Sequence, residues 1–351
     1  MELENRIDAF VALGEFLKQF STKGISRNLN VPFNNEFFER FEEEINTVQF
    51  HNGWFTKDNI LFSLEQWAEN LNKTALGEWL KSYDFPLPGE KTIALITAGN
   101  IPLVGFHDFL SVLISGQNVL VKQSSSDKSI LPLISDYLIA IHPEFNNRIR
   151  FSEEKLNGFD AVIATGSNNT ARYFETILGK YPHIIRRNRN SVAVLRGDET
   201  KEELFHLGQD IFQYFGLGCR SVSKLMVPRG YDFNPFFEAI FPYHTLMELK
   251  KYENNYTYNK AVYLMSEYKL LENGFLMLKE DTSYSSPIAS LFYEYYDSAE
   301  ALEKKLSDDL DNIQCVIGKV NESFIPFGQS QCPKLDDFAD GVDTLRFISG
   351  L

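Results

Sequence analysis

The chain has 351 residues, of which 44% are hydrophobic and 23% charged, enough for a packed core and for about two domains of roughly 100–200 residues each. Its net charge of −14 argues against nucleic acid as a partner, because a phosphate backbone is met by clustered Lys and Arg. No apolar run reaches the roughly 18–20 residues that span a bilayer, and Cys219, Cys315 and Cys332 are widely spaced with no CxxC pair, which suggests neither a zinc site nor a disulfide framework and fits a reducing cytoplasm.

Residues 1–85 read as mostly helical, with breaks near Gly24 and Pro32. In the first helix Leu3, Ile7, Phe10, Leu13, Leu17 and Phe20 fall on one face. Its acidic polar face suits packing better than a membrane surface, and it lacks the basic start of a secretory peptide. Pro86 and Pro88 in FPLPGE mark a loop. TIALITA (92–98) is then a strand, HDFLSVLISG (107–116) a helix and QNVLVKQ (117–123) a strand, a β-α-β unit that implies a parallel sheet. Helix is expected at 129–141, strands at 148–152 and 159–164, and helix at 168–179. A second α/β segment has strands at 191–195 and 222–228, with a helix over 199–215 between them. Later strands are expected at 275–279, 288–294 and 313–318, and helices at 253–267 and 298–309.

The expected organisation is α/β. Residues 1–190 hold the N-terminal helices and a doubly wound domain, in which ligands sit beyond the carboxyl ends of the strands. Residues 191–325 form a second α/β domain, and 326–351 a tail that packs back or serves oligomerisation. The basic run IIRRNRN (184–190) lies at the boundary; it reads as a salt-bridged crossing, with a phosphate contact as the sharper alternative. The 30 Phe and 16 Tyr could line a channel for a fatty chain, although core packing is the ordinary use of such residues.

Several residues could carry chemistry. Cys219 stands in YFGLGCRSVSKLMVP, on a loop between a helix ending at Phe215 and a strand. Gly216 and Gly218 allow close approach there, and Arg220 could favour the thiolate. A buried structural cysteine is the competing reading. Cys315 reads as a strand-core cysteine, and Cys332 as a loop cysteine without an evident helper. Asn100, in the TAGNIP loop after the first strand of the unit, is either a turn residue or an amide donor to an oxyanion. ATGSNNT (164–170) joins a strand to a helix, where small residues and backbone N–H groups suit phosphate. Lys122 ends a buried strand and precedes Gln123, Ser124 and Ser125. GxGxxG is absent. His107, His206 and His244 receive no role.

Taken together, these segments resemble the aldehyde dehydrogenase superfamily in order and spacing. TIALITAGNIPLVGFHDFLSVLISGQNVLVKQSSS resembles the stretch running from that superfamily's oxyanion asparagine to its cofactor lysine, and ATGS resembles its FTGS signature. In GLGCRSVSKLMV, Gly216 lies three residues before Cys219 and Lys224 five after it, as around the superfamily's nucleophile. AGNIP, GLGCRS and the tail GQSQCPKLDDFADGVDTLRF look more closely like the long-chain acyl-CoA reductase family, the fatty acid reductase of bacterial bioluminescence and its relatives.

The resemblance implies roles. Cys219 becomes the acyl-accepting nucleophile and Asn100 the oxyanion donor. Thr97, Ala98, Lys122, Ser124, Ser125, Thr165, Gly166 and Ser167 become contacts to a nicotinamide cofactor. No metal is implied. The superfamily's hydrolytic members carry a glutamate base where this chain has RRNRN (186–190), and its absence would protect an acyl-enzyme from water. Ser125 stands where NAD-preferring relatives place a glutamate on the adenine ribose, so NADPH should be accepted, with NADH possible. The implied activity is reduction of fatty acyl-CoA, or of an acyl group from a donor protein, to an aldehyde by a cytoplasmic homo-oligomer without stable membrane insertion. An acyl-phosphate reductase and a non-catalytic acyl-carrying subunit are the alternatives.

Overall fold

Arg6, Ile7, Phe10, Leu13 and Leu17 are buried along α1 (Leu3–Leu17) in the computed structural model, which describes residues 1–85, 90–166 and 168–351. The loop expected at Pro86 and Pro88, and Ser167, lie outside the described residues. The chain divides into two units, Met1–Arg187 with Lys334–Leu351, and Asn188–Pro333. These divisions differ from the expected ones at 190 and 325. Residues 326–333 stay with the second unit because backbone N–H groups at Gly328 and Ser330 donate to Asp210.

In the first unit, α1 is followed by a small hairpin, β1 (Phe20–Ser21) and β2 (Gly24–Ile25). Helices α2 (Asn34–Thr47), α3 (Lys57–Asn70) and α4 (Lys73–Leu80) follow. Thr56 and Asn72 cap α3 and α4 by accepting from the backbone N–H groups of Asn59 and Ala75. The ring of Phe16 lies 4.4 Å from that of Tyr137 and 4.8 Å from that of Phe41. Many of the unit's phenylalanines are therefore spent on packing its helices.

The sheet alternates with helices: β3 (Thr92–Ile96), α5 (Phe106–Ile114), β4 (Asn118–Lys122), α6 (Ile130–Ile141), β5 (Ile149–Phe151), β6 (Ala161–Thr165), α7 (Asn168–Leu178) and β7 (His183–Arg186). All five strands are parallel, in the order β5-β4-β3-β6-β7. Period-two alternation sorts the side chains. Ile93 and Leu95 join the core shared with α1 and α5, whereas Ala94 and Ile96 face Phe174 and Leu178 of α7. The strand order reverses between β3 and β6, so the loops after these two strands flank the switch point where doubly wound sheets take ligands. Strand β7 was not expected. Its charged residues hid it, and Arg186 is tolerated there only because it is paired.

The second unit holds β8 (Asn190–Val194), α8 (Lys201–Phe212), β9 (Val222–Pro228), α9 (Asn234–Ile240), α10 (Lys250–Met265), β10 (Leu270–Glu272), β11 (Met277–Glu280), β12 (Ser290–Tyr296), α11 (Ala299–Asp308) and β13 (Ile313–Ile317). The strand order is β10-β11-β12-β9-β8-β13, parallel except for edge strand β10. Ala193, Leu225 and Leu291 face α8 and α9, and Val192, Val194 and Met226 face Leu302 and Leu306 of α11. Thr200 and Glu203 start α8 with a reciprocal capping box. The tail ends in α12 (Thr344–Ser349), which packs on α5 in the first unit.

Candidate functional site

Helix α8 stops at Phe212 rather than Phe215. Tyr214 (φ 56°, ψ 25°), Phe215 (φ 57°, ψ 27°) and Gly216 (φ 76°) are then all left-handed. Glycine takes this conformation freely, whereas each aromatic residue pays roughly 1–2 kcal/mol for it. Burial of both rings offsets that cost.

A tight turn follows, in which the Ser221 N–H donates to the Gly218 carbonyl at 3.0 Å. Cys219 and Arg220 are its two central residues. Cys219 is exposed, which overturns the competing reading of a buried cysteine. Its own carbonyl accepts a hydrogen bond from Ser191 Oγ at 2.9 Å. The turn lies at the amino end of β9, next to the amino end of β8.

Beside Cys219, Arg220 Nε donates to the Ser330 carbonyl at 2.6 Å. That carbonyl belongs to a strap, Gly328–Gln331, fixed from several sides. The buried Asp210 carboxylate accepts from the N–H groups of Gly328 at 2.6 Å and Ser330 at 2.9 Å. Burial raises the Asp210 carboxyl above its ordinary value, against the opposing pull of these two bonds. Gln331 Nε2 donates to Ser221 Oγ at 3.2 Å. The strap thus ties the last turn of α8 to the residues that follow Cys219. Cys332, at its end, is half-buried. Cys315 is also half-buried rather than in the core, with Sγ 3.0 Å from Ser191 Oγ.

Lys224 is fully buried; its ammonium donates to the Thr282 carbonyl at 2.8 Å and Glu294 Oε2 at 2.5 Å, over the Tyr284 ring. Burial lowers its pKa. This lysine is a satisfied interior ion pair that fixes β9 against β12.

In the first unit, the loop after β3 carries Thr97, Ala98 and Asn100. Thr97 is buried, and its methyl lies where any side chain at Gly105 would go, so its side chain packs. Ala98 and Asn100 are half-buried. The Gly99 carbonyl accepts from Asn52 Nδ2 at 3.3 Å and from Ser126 Oγ at 3.1 Å, which joins this loop to the loop after β4. Ser63 Oγ donates to the Pro102 carbonyl, and Leu103 is left-handed at φ 57°. In the loop after β4, Ser124 is half-buried and Ser125 exposed. Lys122 donates from Nζ to the Glu154 carbonyl at 2.9 Å. Thr165 and Gly166, half-buried after β6, lie across the switch point from the β3 loop. A side chain at Gly166 would press on Thr170 and Phe174. Of the expected cofactor contacts, Ser167 alone lies outside the described residues.

The basic run is spent on ion pairs and carbonyls. Arg186 pairs with Asp108 inside the first unit, Arg187 with Glu175, and Arg189 donates to the carbonyls of Leu310 and Ile313 in the second unit. His206 and His244 are exposed, while His107 is half-buried against the rings of Trp67, Trp79 and Phe338. Among the described residues no helix is long and apolar enough to cross a membrane, and no cluster of His, Cys, Asp or Glu could hold a metal. Two residues that shape the Cys219 turn, Ser191 and Asp210, carry no motif that sequence reading could have found.

No family model and no curated protein matches the sequence. Solved structures do. Aldehyde dehydrogenase 21 from Physcomitrella patens, in complex with the reaction product succinate, is similar with a TM-score of 0.66 and 12% identity, over 100% of this chain and 84% of that one. The chain has the aldehyde dehydrogenase fold. Putative aldehyde dehydrogenase PutA from Anabaena variabilis matches with a TM-score of 0.59 and 15% identity, covering 93% of this chain and 79% of that one. The NAD+ complex of an aldehyde dehydrogenase from Bacillus cereus matches with a TM-score of 0.58 and 13% identity, covering 92% and 73%.

Proposed function

We propose that the chain is an NADPH-dependent acyl-CoA reductase that releases fatty aldehyde through a thioester on Cys219, working in the cytoplasm as a homo-oligomer. The observation that carries the reading is the exposed Cys219 at the corner of a turn held by Ser191 and by the strap. Such a thiol suits nucleophilic attack, and its fixed surroundings suit preorganisation. The Cys219 thiolate attacks the thioester carbonyl, the carbon–sulfur bond to the carrier breaks, the carrier thiolate leaves, and the acyl group stays on Cys219. The Asn100 amide and the Cys219 N–H are assigned to the developing oxyanion.

The residues around the switch point fit a nicotinamide dinucleotide. Lys122 ends β4 and Ser124 and Ser125 follow it, with no carboxylate from 123 to 126, a donor set that accepts a ribose phosphate without repulsion. Backbone at Ala98 and at Thr165–Gly166 completes the set, with Thr97 supporting its loop. The cofactor, when bound, supplies the hydride that aldehyde release requires. No carboxylate stands at 186–190 to activate water, which favours reduction over hydrolysis of the acyl-enzyme.

The deciding experiment incubates the protein with radiolabelled long-chain acyl-CoA. Label on Cys219 without NADPH, and aldehyde after NADPH addition, are expected. Wild-type turnover by Cys219→Ser would overturn the mechanism. Turnover with acyl phosphate alone would move the donor class, and retention of acyl groups without NADPH binding would make the chain an acyl carrier.

A further inference from the structure

We infer that Ser191 is the positioning residue that aims the Cys219 thiol, an inference that rests on the acyl-transfer reading of Cys219. Ser191 is fully buried at the amino end of β8, and its hydroxyl donates to the Cys219 carbonyl at 2.9 Å. A hydroxyl has one proton. With that proton on the Cys219 carbonyl, the contact at 3.0 Å to Cys315 Sγ leaves Cys315 as the donor. The chain of donors therefore runs from the Cys315 thiol to Ser191 and ends on the nucleophile's own peptide.

The backbone is built around this contact. Ser191 pairs with Val222 and Val192 with Lys224, so β9 carries one more residue than β8 at this point. On the other side Ile313 pairs with Asn190 and Val316 with Val192, so β13 also carries one more. Irregularities in both neighbouring strands thus meet at Ser191. Bulges bend a strand and re-aim its side chains, and they concentrate beside active sites. The consequence is specific to Cys219. The Gly218–Ser221 hydrogen bond sets the turn, Arg220 is held by Ser330, and Ser191 fixes the peptide plane that leaves Cys219. That plane defines ψ of Cys219 and hence the direction of its Cα–Cβ bond. Ser191 touches neither substrate nor cofactor in this scheme.

The test compares the unaltered protein with Ser191→Ala and Cys315→Ala, reading the single-turnover rate of Cys219 acylation by acyl-CoA beside NADPH affinity and melting temperature. A displacement of about 1 Å at a reacting atom can cost up to 10²-fold, so Ser191→Ala is expected to slow acylation roughly tenfold. NADPH affinity should be unmoved, which a general packing defect would not predict. Cys315→Ala leaves the Ser191–Cys219 bond in place and is expected to acylate at the wild-type rate. Wild-type acylation by Ser191→Ala overturns the inference, as does an equal slowing by Cys315→Ala. Failure of the unaltered protein to acylate at Cys219 overturns the acyl-transfer reading itself.

Discussion

Arg186 Nη2 donates to Asp108 Oδ1 at 2.7 Å, with both side chains almost wholly buried and Thr344 Oγ1 3.0 Å from the same guanidinium nitrogen. The pair joins β7 to α5, and Thr344 brings in the first residue of α12. Removing one partner leaves an uncompensated charge inside, which costs about 3–5 kcal/mol. Arg186→Met should therefore lower the urea midpoint steeply. Adding Asp108→Leu to the same chain should recover much of the loss, because no charge is then left buried. Two single replacements whose effects simply add would count against a coupled pair.

This pair also shows why part of the fold was legible and part was not. Apolar runs such as TIALI and NVLVK announce buried parallel strands locally, and the helices between them show their spacing. Strand β7 does not, because HIIR ends in a charge whose partner lies 78 residues away. The site divides in the same manner. Glycines and an amphipathic helix made the Cys219 loop visible. Nothing local shows that Tyr214 and Phe215 are left-handed, that Asp210 holds the strap, or that Ser191 reaches Cys219.

His107 gives acid sensitivity. Burial lowers its pKa below the ordinary 6.5, and its Nε2 lies 2.8 Å from the Leu335 carbonyl. With the folded value depressed, the folded state takes up fewer protons than the unfolded one. Its stability is complete above about pH 6.5 and is lost as pH falls from there through the folded value. Unfolding midpoints should drop between pH 7.5 and 5.5, and His107→Phe should flatten that slope. An unchanged slope in the variant would assign the acid sensitivity to other groups.

Asp127 acts with the opposite sign. It is buried one residue beyond the serine loop, its Oδ1 has no hydrogen-bond partner among the described residues, and burial with the nearby Glu44 charge pushes its pKa up to about 7. The folded state keeps a proton that the unfolded chain releases near 3.8. Stability from this residue is therefore lost as pH rises from 3.8 towards 7, then stays constant. Asp127→Asn should remove that dependence, so its melting temperature relative to wild type should rise between pH 5 and pH 8. Parallel pH curves for the two proteins would show that Asp127 is ionised in the fold.

Gly99 tests the link between the two loops assigned to oxyanion and cofactor. A Cβ there would stand 2.6 Å from Ser126 Oγ and 2.8 Å from Ser124 Cβ, closer than real side chains approach. Gly99→Ala must push the loop carrying Asn100 away from the loop carrying Ser124 and Ser125, breaking the Ser126–Gly99 hydrogen bond at 3.1 Å. Both assigned functions should suffer together. NADPH affinity falls because Ser124 shifts, and acylation slows because Asn100 shifts; loss of an oxyanion donor alone costs about 10²-fold or more in kcat. Asn100→Ala should slow acylation similarly while leaving NADPH affinity near wild type. Fluorescence titration with NADPH and single-turnover acylation of the two variants separate these outcomes. Equal NADPH affinity in Gly99→Ala and wild type would show that the serine loop does not hold the cofactor.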